Sequence, residues 1–228
     1  MNNTKKKSPI SWVPTAYFAM GLPFVVLNMV TVLMFKGLEV DDKLITFWTS
    51  LILLPWTLKP LWSPFLELFR TKKFFVIVTQ LITGVTFGLV AFALNLSHFF
   101  SISIALLAIV AFSGATHDIA CDGVYMSELS NEDQARFIGW QGAFYNIAKI
   151  LATGGLVYLA GYFIELNADA GLLTANKRAW MIILLILSVT MILLGIYHLF
   201  ALPSTQSASS RKTLRSNKEV MKELGQVL

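Results

Sequence analysis

The sequence predicts an all-α membrane protein with six transmembrane helices, and three observations lead to this fold class. Of the 228 residues, 56% are hydrophobic and only 14% are charged, whereas about 25% of residues are charged in an average soluble domain. Apolar runs long enough to cross a hydrocarbon layer roughly 30 Å thick recur along the chain. These runs lack the alternating pattern of barrel strands, so each must satisfy its backbone hydrogen bonds as a helix. A soluble enzyme is therefore excluded.

The predicted spans differ in what their ends and interiors contain. The first span follows the lysines at residues 5–7, as the apolar region of a secretory signal peptide would. It is too long for a signal peptide, however, and further spans follow it. In the second span, Lys59 lies between Pro55 and Pro60. The prolines predict a broken helix, and the ordinary interpretation of the lysine is snorkelling toward the headgroups. The six predicted spans are 12–35, 44–61, 74–96, 99–129, 137–164 and 179–202.

The distribution of basic residues predicts the orientation and the domain organisation. Twelve lysines and arginines fall on the side of the two termini and four on the other side, which places both termini in the cytoplasm. Residues 1–11 are then a cytoplasmic tail, residues 12–202 the six-helix bundle, and residues 203–228 a serine-rich and basic cytoplasmic linker. We expect a second six-helix bundle to follow; the alternative is a six-span protein that forms a homodimer. Orientation explains the net charge of +5, so no nucleic-acid partner is expected.

Ionisable and polar residues lie inside two of the apolar runs. In the fourth span, Asp118 and Asp122 are four residues apart and share a helix face with Tyr125. A charge near the bilayer centre costs about 2.5 to 3.5 kcal/mol on insertion scales, so such residues usually face a bundle interior or a water-filled cavity. The fifth span carries a polar stripe made of Gln141, Tyr145, Asn146 and Lys149.

Depth in the membrane predicts a charge pair between these two spans. Counting from the turn between them, Asp118 and Lys149 lie roughly 16 and 18 Å into the membrane. We therefore expect Asp118 and Lys149 to be charge partners that line a central cavity, with Asp122 free to bind solute or a proton. The alternative is that Asp122, or both aspartates, cap the cytoplasmic end of the fourth helix.

Two spacing patterns have an ordinary structural interpretation. Gly84 and Gly88 form a G-x-x-x-G spacing, which predicts close helix packing. His117 and Cys121 share a helix face, but two ligands do not hold a metal without others, so the histidine is expected to be structural or a bystander. His98 and His198 lie near span ends, and the sequence assigns them no role. The chain has no nucleotide-binding loop, nucleophile elbow or zinc-protease helix, so neither a cofactor nor an enzymatic activity is expected.

Three stretches of the sequence carry a family resemblance: Gly21-Leu22-Pro23, Lys59-Pro60-Leu61-Trp62-Ser63-Pro64 and Ala115-Thr116-His117-Asp118-Ile119-Ala120-Cys121-Asp122-Gly123. Together they resemble the AmpG-type muropeptide permeases of the major facilitator superfamily. The resemblance implies the N-terminal six-helix bundle of a twelve-helix transporter, alternating access, proton-driven import and a multi-pass location in the bacterial inner membrane. It also implies gating roles for Lys59 and for Glu67 and Arg70, which follow the second span.

The leading expectation is a secondary active transporter that moves a small polar solute, such as an amino sugar or muropeptide fragment, into the cytoplasm with protons. Asp118 or Asp122 would carry the proton, Lys149 would contact anionic groups of the solute, and Asn28, Thr31, Tyr125, Gln141, Tyr145 and Asn146 would donate or accept hydrogen bonds. One alternative is a metal-dependent membrane enzyme acting on lipids, which the Asp118 to Gly123 stretch suggests but its spacing disfavours. A second alternative is a non-transporting membrane subunit.

Overall fold

The protein is all-helical. A computed structural model describes residues 7–64, 66 and 71–203. The described α-helices are α1 (Val13–Val25), α2 (Thr31–Gly37), α3 (Asp42–Ile52), α4 (Leu54–Thr57), α5 (Lys72–Ala93), α6 (Phe99–Glu128), α7 (Asn131–Ile150), α8 (Val157–Leu166) and α9 (Leu172–Ala201). Short π-helical segments join α1 to α2 and α7 to α8, and α3 and α4 belong to one broken segment, so these helices form six helical segments.

Five of these segments are long and apolar enough to cross a membrane, so the chain is a multi-pass membrane protein with five candidate spans. They are Pro9–Gly37, Lys72–Ala93, Phe99–Glu128, Asn131–Leu166 and Leu172–Ala201. Five predicted spans are thereby confirmed in position, although the last two begin six or seven residues earlier than predicted. The reason is that their polar first turns are helical too, and at α7 the Ser130 hydroxyl accepts a hydrogen bond from the Asp133 backbone N–H at 3.2 Å.

The second predicted span is not one continuous helix. After α3 the chain forms α4 and then a 3₁₀ turn, Lys59–Leu61. Pro55 and Pro60 lack the backbone N–H that would continue the helical ladder, and their rings crowd the preceding turn. The predicted break at the prolines is confirmed, whereas the prediction that 44–61 forms a sixth long span is not met among the described residues.

The third span, α5, packs against both α6 and α9. A Cβ built on Gly84 would lie 3.0 Å from the Ser188 carbonyl oxygen, and one on Gly88 would lie 3.1 Å from the Ser188 hydroxyl. The absence of side chains at these two positions lets α5 and α9 approach this closely. The predicted role of the G-x-x-x-G spacing is therefore confirmed.

The fifth span, α7 continued by α8, packs along one face and leaves the rest exposed. Its contact with α1 is close: a Cβ on Gly21 would lie 2.8 Å from the Tyr145 carbonyl oxygen and 3.0 Å from the Ala148 Cβ. Gly139 and Gly142, on the same helix, have no atom within 4 Å of such a position. Only 17% of the residues in the most apolar stretch of this span are buried, so most of its surface is available to lipid, water or another protein.

Contacts between distant helices define the two ends of the bundle. At what we call the first end, α1 begins and α6 and α9 finish: the Tyr197 hydroxyl donates to the Ser11 carbonyl oxygen, and the Lys73 ammonium donates to the Leu202 carbonyl oxygen at 2.8 Å. At the opposite end, the rings of Phe35 and Phe100 lie 5.0 Å apart. Residues 204–228 of the predicted linker and residues 1–6 of the predicted tail lie outside the described residues.

Candidate functional site

A buried ion pair joins the fourth span to the broken second segment. The Lys59 ammonium donates to Asp118 Oδ2 at 2.6 Å, and the Trp56 indole N–H donates to the same oxygen at 2.9 Å. The Asp118 side chain is 11% exposed and the Lys59 side chain 27%. The second carboxylate oxygen, Oδ1, is buried and has no hydrogen-bond partner within the described part of the chain. One Asp118 oxygen therefore accepts two hydrogen bonds, and the other accepts none from the described residues.

The break at the prolines places Trp56 and Lys59 against α6. A Cβ on Gly114, one turn before Asp118, would lie 2.9 Å from the Trp56 ring, so only glycine leaves room for the indole here. The Phe24 ring on α1 packs edge-on against Trp56 at 5.2 Å. The indole is thus held between two spans with its N–H directed at the carboxylate.

The depth of the pair makes it unusual for a membrane helix. Glu128, the last residue of α6, follows Asp118 by ten residues, or about 15 Å along the helix axis. At such a depth an ionised carboxylate is retained only with a partner or water, since isolated charges are strongly destabilised in a low-dielectric medium. Lys59 and Trp56 supply that compensation.

The predicted pairing of Asp118 with Lys149 is wrong. Asp118 pairs with Lys59, and Lys149 lies on the exposed surface of α7. The prediction compared depth along the helices, which fixes height in the membrane but not the direction in which a side chain points. The break in the second segment also places Lys59 beside α6. A continuous helix would have placed this residue beyond Asp118.

Asp122, one turn after Asp118, is an exposed second carboxylate. The Tyr17 hydroxyl of α1 donates to Asp122 Oδ1 at 2.8 Å, and the Tyr17 ring packs edge-on against Tyr125 at 5.9 Å. Because α6 continues to Glu128, neither aspartate is in its last turn. The alternative interpretation, in which the aspartates cap the helix, is therefore wrong.

Tyr125 closes the turn between α6 and α7. Its hydroxyl donates to the Gln134 carbonyl oxygen at 2.6 Å, and the Gln134 side-chain amide donates to the carbonyl oxygens of Leu129 and Met126. The hydroxyl that was expected to contact solute is therefore engaged with the turn, while the ring of Tyr125 supports Tyr17.

The remaining predicted site residues differ in their surroundings. On α7, Gln141 and Tyr145 are half-buried, and Tyr145 lies within electrostatic range of Asp118. Asn146 is exposed and donates to the Gly142 carbonyl oxygen at 2.8 Å. Asn28 is exposed in the π-helical segment Val26–Val30. Glu67 and Arg70, expected to form a gate with Lys59, lie outside the described residues.

Two departures from α-helical geometry meet where the first and fifth spans cross. The π-helical segment Val26–Val30 contacts the π-helical segment Leu151–Leu156. Single π turns inside α-helices often occur at functional positions. Thr31, expected to contact solute, is buried just after the first segment and its hydroxyl donates to the Leu27 carbonyl oxygen at 2.8 Å.

A buried polar chain across four helices was missed in the sequence. It runs from Thr15 on α1 to His198 on α9, then to Gln80 on α5 and His117 on α6. Both ring nitrogens of His198, to which the sequence assigned no role, lie within hydrogen-bonding distance of a partner. The available signal was Gln80, a polar residue in the middle of the third apolar run.

No group of three or more histidine, cysteine, aspartate or glutamate side chains is placed to hold a metal ion in the part of the chain that the structure describes. In comparisons with protein-family models, curated proteins and solved structures, the chain matches none of them. Fold and site together therefore define the class only as an all-helical membrane protein with five candidate spans and a buried charge pair. The resemblance to AmpG-type permeases is not matched by these comparisons, so no family is identified.

Proposed function

We propose that the chain is a secondary active transporter, or the N-terminal half of one, that imports a small polar solute together with protons. The observation that carries this proposal is the Asp118–Lys59 ion pair, which lies about 15 Å from the end of α6. Buried charges in membrane helices are expensive and typically mark ion or solute pathways.

The geometry of the pair suggests how proton and solute binding are linked. Protonation of Asp118 would remove the negative charge that holds Lys59, leaving an ammonium that needs a new partner. Lys59 is the more exposed member of the pair, so an anionic group of a solute reaches it more readily than it reaches the carboxylate. An exchange of partners at Lys59 then couples solute binding to the charge of Asp118.

The break beside Lys59 supports movement of this residue. Lys59 stands in a 3₁₀ turn preceded by the four-residue helix α4, and short helical pieces between prolines have few backbone hydrogen bonds to lose when they shift. In contrast, Asp118 lies within the 30-residue helix α6. We therefore assign the moving role to the lysine and the fixed role to the aspartate.

Other polar groups would complete a solute path. Asp122 with Tyr17 forms a second, more accessible acidic position one turn away. The exposed stripe on α7, which includes Asn146 and Lys149, needs water or protein beside it at membrane depth. A second bundle, or a second copy of the chain, would supply the other wall and allow access to alternate by rocking of one unit against the other.

Uptake by vesicles containing the full chain tests this proposal. The probes are labelled amino sugars and muropeptide fragments, assayed with an imposed proton gradient and again with a protonophore. Asp118→Asn is expected to abolish gradient-driven accumulation, whereas Asp42→Asn, a change at an exposed carboxylate, is expected to leave it unchanged. Accumulation that survives both Asp118→Asn and the protonophore would contradict the proposed coupling.

A further inference from the structure

The polar chain through Gln80 imposes opposite hydrogen-bonding roles on two buried histidines. Gln80 Nε2 lies 3.0 Å from His117 Nε2, and Gln80 Oε1 lies 2.8 Å from His198 Nδ1. The amide nitrogen only donates and the amide oxygen only accepts. His117 must therefore accept through Nε2, whereas His198 must donate through Nδ1.

These roles decide which histidine can hold a second ring proton. An imidazolium donates from both nitrogens, so an imidazolium at His117 would direct an N–H at the N–H₂ group of Gln80. Turning the amide would exchange the roles of the two rings, but it would not let both rings donate to Gln80. As long as the amide bridges them, at most one of the pair can be charged.

Thr15 provides the adjustment that a proton on His198 requires. The Thr15 hydroxyl oxygen lies 2.9 Å from His198 Nε2 and 3.2 Å from the Trp12 carbonyl oxygen. With a neutral ring, the hydroxyl donates to Nε2. With an imidazolium, Nε2–H donates to the hydroxyl oxygen, and the hydroxyl proton turns to the Trp12 carbonyl. No heavy atom has to move.

We propose that Thr15, His198, Gln80 and His117 form a proton-binding site that takes one proton, on His198, and excludes a second proton from His117. The site shares no hydrogen bond with the Asp118–Lys59 pair within the described ranges, and the proposal does not depend on transport. It gives a role to two buried histidines and a buried glutamine, none of which forms a hydrogen bond or ion pair with a carboxylate within the described ranges.

The polar chain is buried except at its Thr15 end. His198 and Gln80 are fully buried, and Thr15, near the first end of the bundle, is half-buried. The charged groups that act on the two rings are Lys73 on α5, which faces His198, and Lys59 of the second segment, which faces His117. The titratable Tyr197 on α9 packs with its ring centroid 5.5 Å from that of His198.

Nitrogen-15 NMR of the full chain in lipid vesicles, labelled at histidine, tests the proposal directly. The chain has three histidines, and the exposed His98 is an internal reference that a His98→Gln variant assigns. As the pH is lowered from 8 to 4, we expect imidazolium to appear on His198 while His117 stays neutral with its proton on Nδ1. Imidazolium signals from both residues at one pH, from His117 alone, or from neither would each overturn the proposal.

Two sets of variants test the assigned roles of the chain. A carboxylate accepts from both sides, so Gln80→Glu is expected to allow two imidazolium rings where the unchanged chain shows one. Thr15→Val removes the acceptor for Nε2–H and is expected to lower the imidazolium-to-neutral ratio of His198 about tenfold at fixed pH, whereas Thr15→Ser should preserve it. An unchanged ratio in Thr15→Val would overturn the role of the hydroxyl even if Gln80→Glu failed to fold.

Discussion

Removing Lys59 from the buried pair should destabilise the protein far more than removing a surface lysine. Lys59→Met leaves the Asp118 carboxylate, 11% exposed, without its charged partner and with only the Trp56 N–H on Oδ2. Removing one member of a buried ion pair costs about 3 to 5 kcal/mol of unfolding free energy. Asp118→Asn should cost less, because the remaining Lys59 is 27% exposed and can reach water.

The double variant separates the interaction energy between Lys59 and Asp118 from the free energy of unfolding that each single substitution removes. With Lys59→Met and Asp118→Asn combined, no uncompensated charge remains, so stability should return to within about 1 to 2 kcal/mol of the unchanged protein. The coupling energy of the cycle should then be about 2 kcal/mol or more. Reversible unfolding in mixed micelles, followed by circular dichroism, gives the four free energies.

The chain contains a matched control for this cycle. Lys36 and Asp42 form a second ion pair at 3.4 Å, with side chains 55% and 72% exposed. Exposed pairs contribute about 0 to 1 kcal/mol, because water and salt screen them. If the Lys59–Asp118 coupling energy were no larger than that of Lys36–Asp42, the argument that burial makes the inner pair important would be refuted.

Two further variants test packing and hydrogen bonding with the same unfolding assay. Gly84→Ala would place a Cβ 2.7 Å from the Ile192 side chain and should destabilise by about 1 to 3 kcal/mol, whereas Gly161→Ala, with no atom within 4 Å, should have little effect; equal effects would contradict close packing at Gly84. Tyr17→Phe removes the hydrogen bond to Asp122 but keeps the ring, and should cost about 1 kcal/mol. No further loss is expected when Tyr17→Phe is added to Asp122→Ala; additive losses would show that the hydrogen bond is not the cause.

Three separate stretches of the sequence, 21–23, 59–64 and 115–123, come together in space. A Cβ on Gly114 would lie 2.9 Å from the Trp56 ring and 3.3 Å from the Pro23 Cβ, which places the first stretch beside the second segment and α6. Lys59 of the second stretch then pairs with Asp118 of the third. Residues 59 positions apart thus form one site, and the prolines that break the second segment are what allow it.

Much of the fold was predictable from local properties of the chain. The apolar runs gave five of the spans, because a helix that crosses lipid must be apolar over its own length. The break near Lys59 followed from Pro55 and Pro60, and the close approach at Gly84 from the spacing of two glycines. The charged residues Asp118 and Asp122 stood out because they interrupt an apolar run.

The pairing of these residues was not predictable, and the reason is geometric. Depth gave Asp118 and Lys149 the same height, but the rotation of each helix about its axis placed Lys149 on an exposed surface and Lys59 beside the carboxylate. The chain from Thr15 to His117 joins four helices, with partners separated by up to 183 positions along the sequence.

The sequence by itself determined that this chain is an all-helical membrane protein, where its long helices lie, and that charged side chains are present within one of them. Only the tertiary structure decided which charges meet, which polar groups are satisfied and which histidines share an amide. Hydropathy and helical period are properties of consecutive residues, whereas a hydrogen bond between helices depends on the rotation and lateral position of both. Those two quantities are fixed by packing, at contacts such as Gly114 with Trp56 and Gly21 with Tyr145.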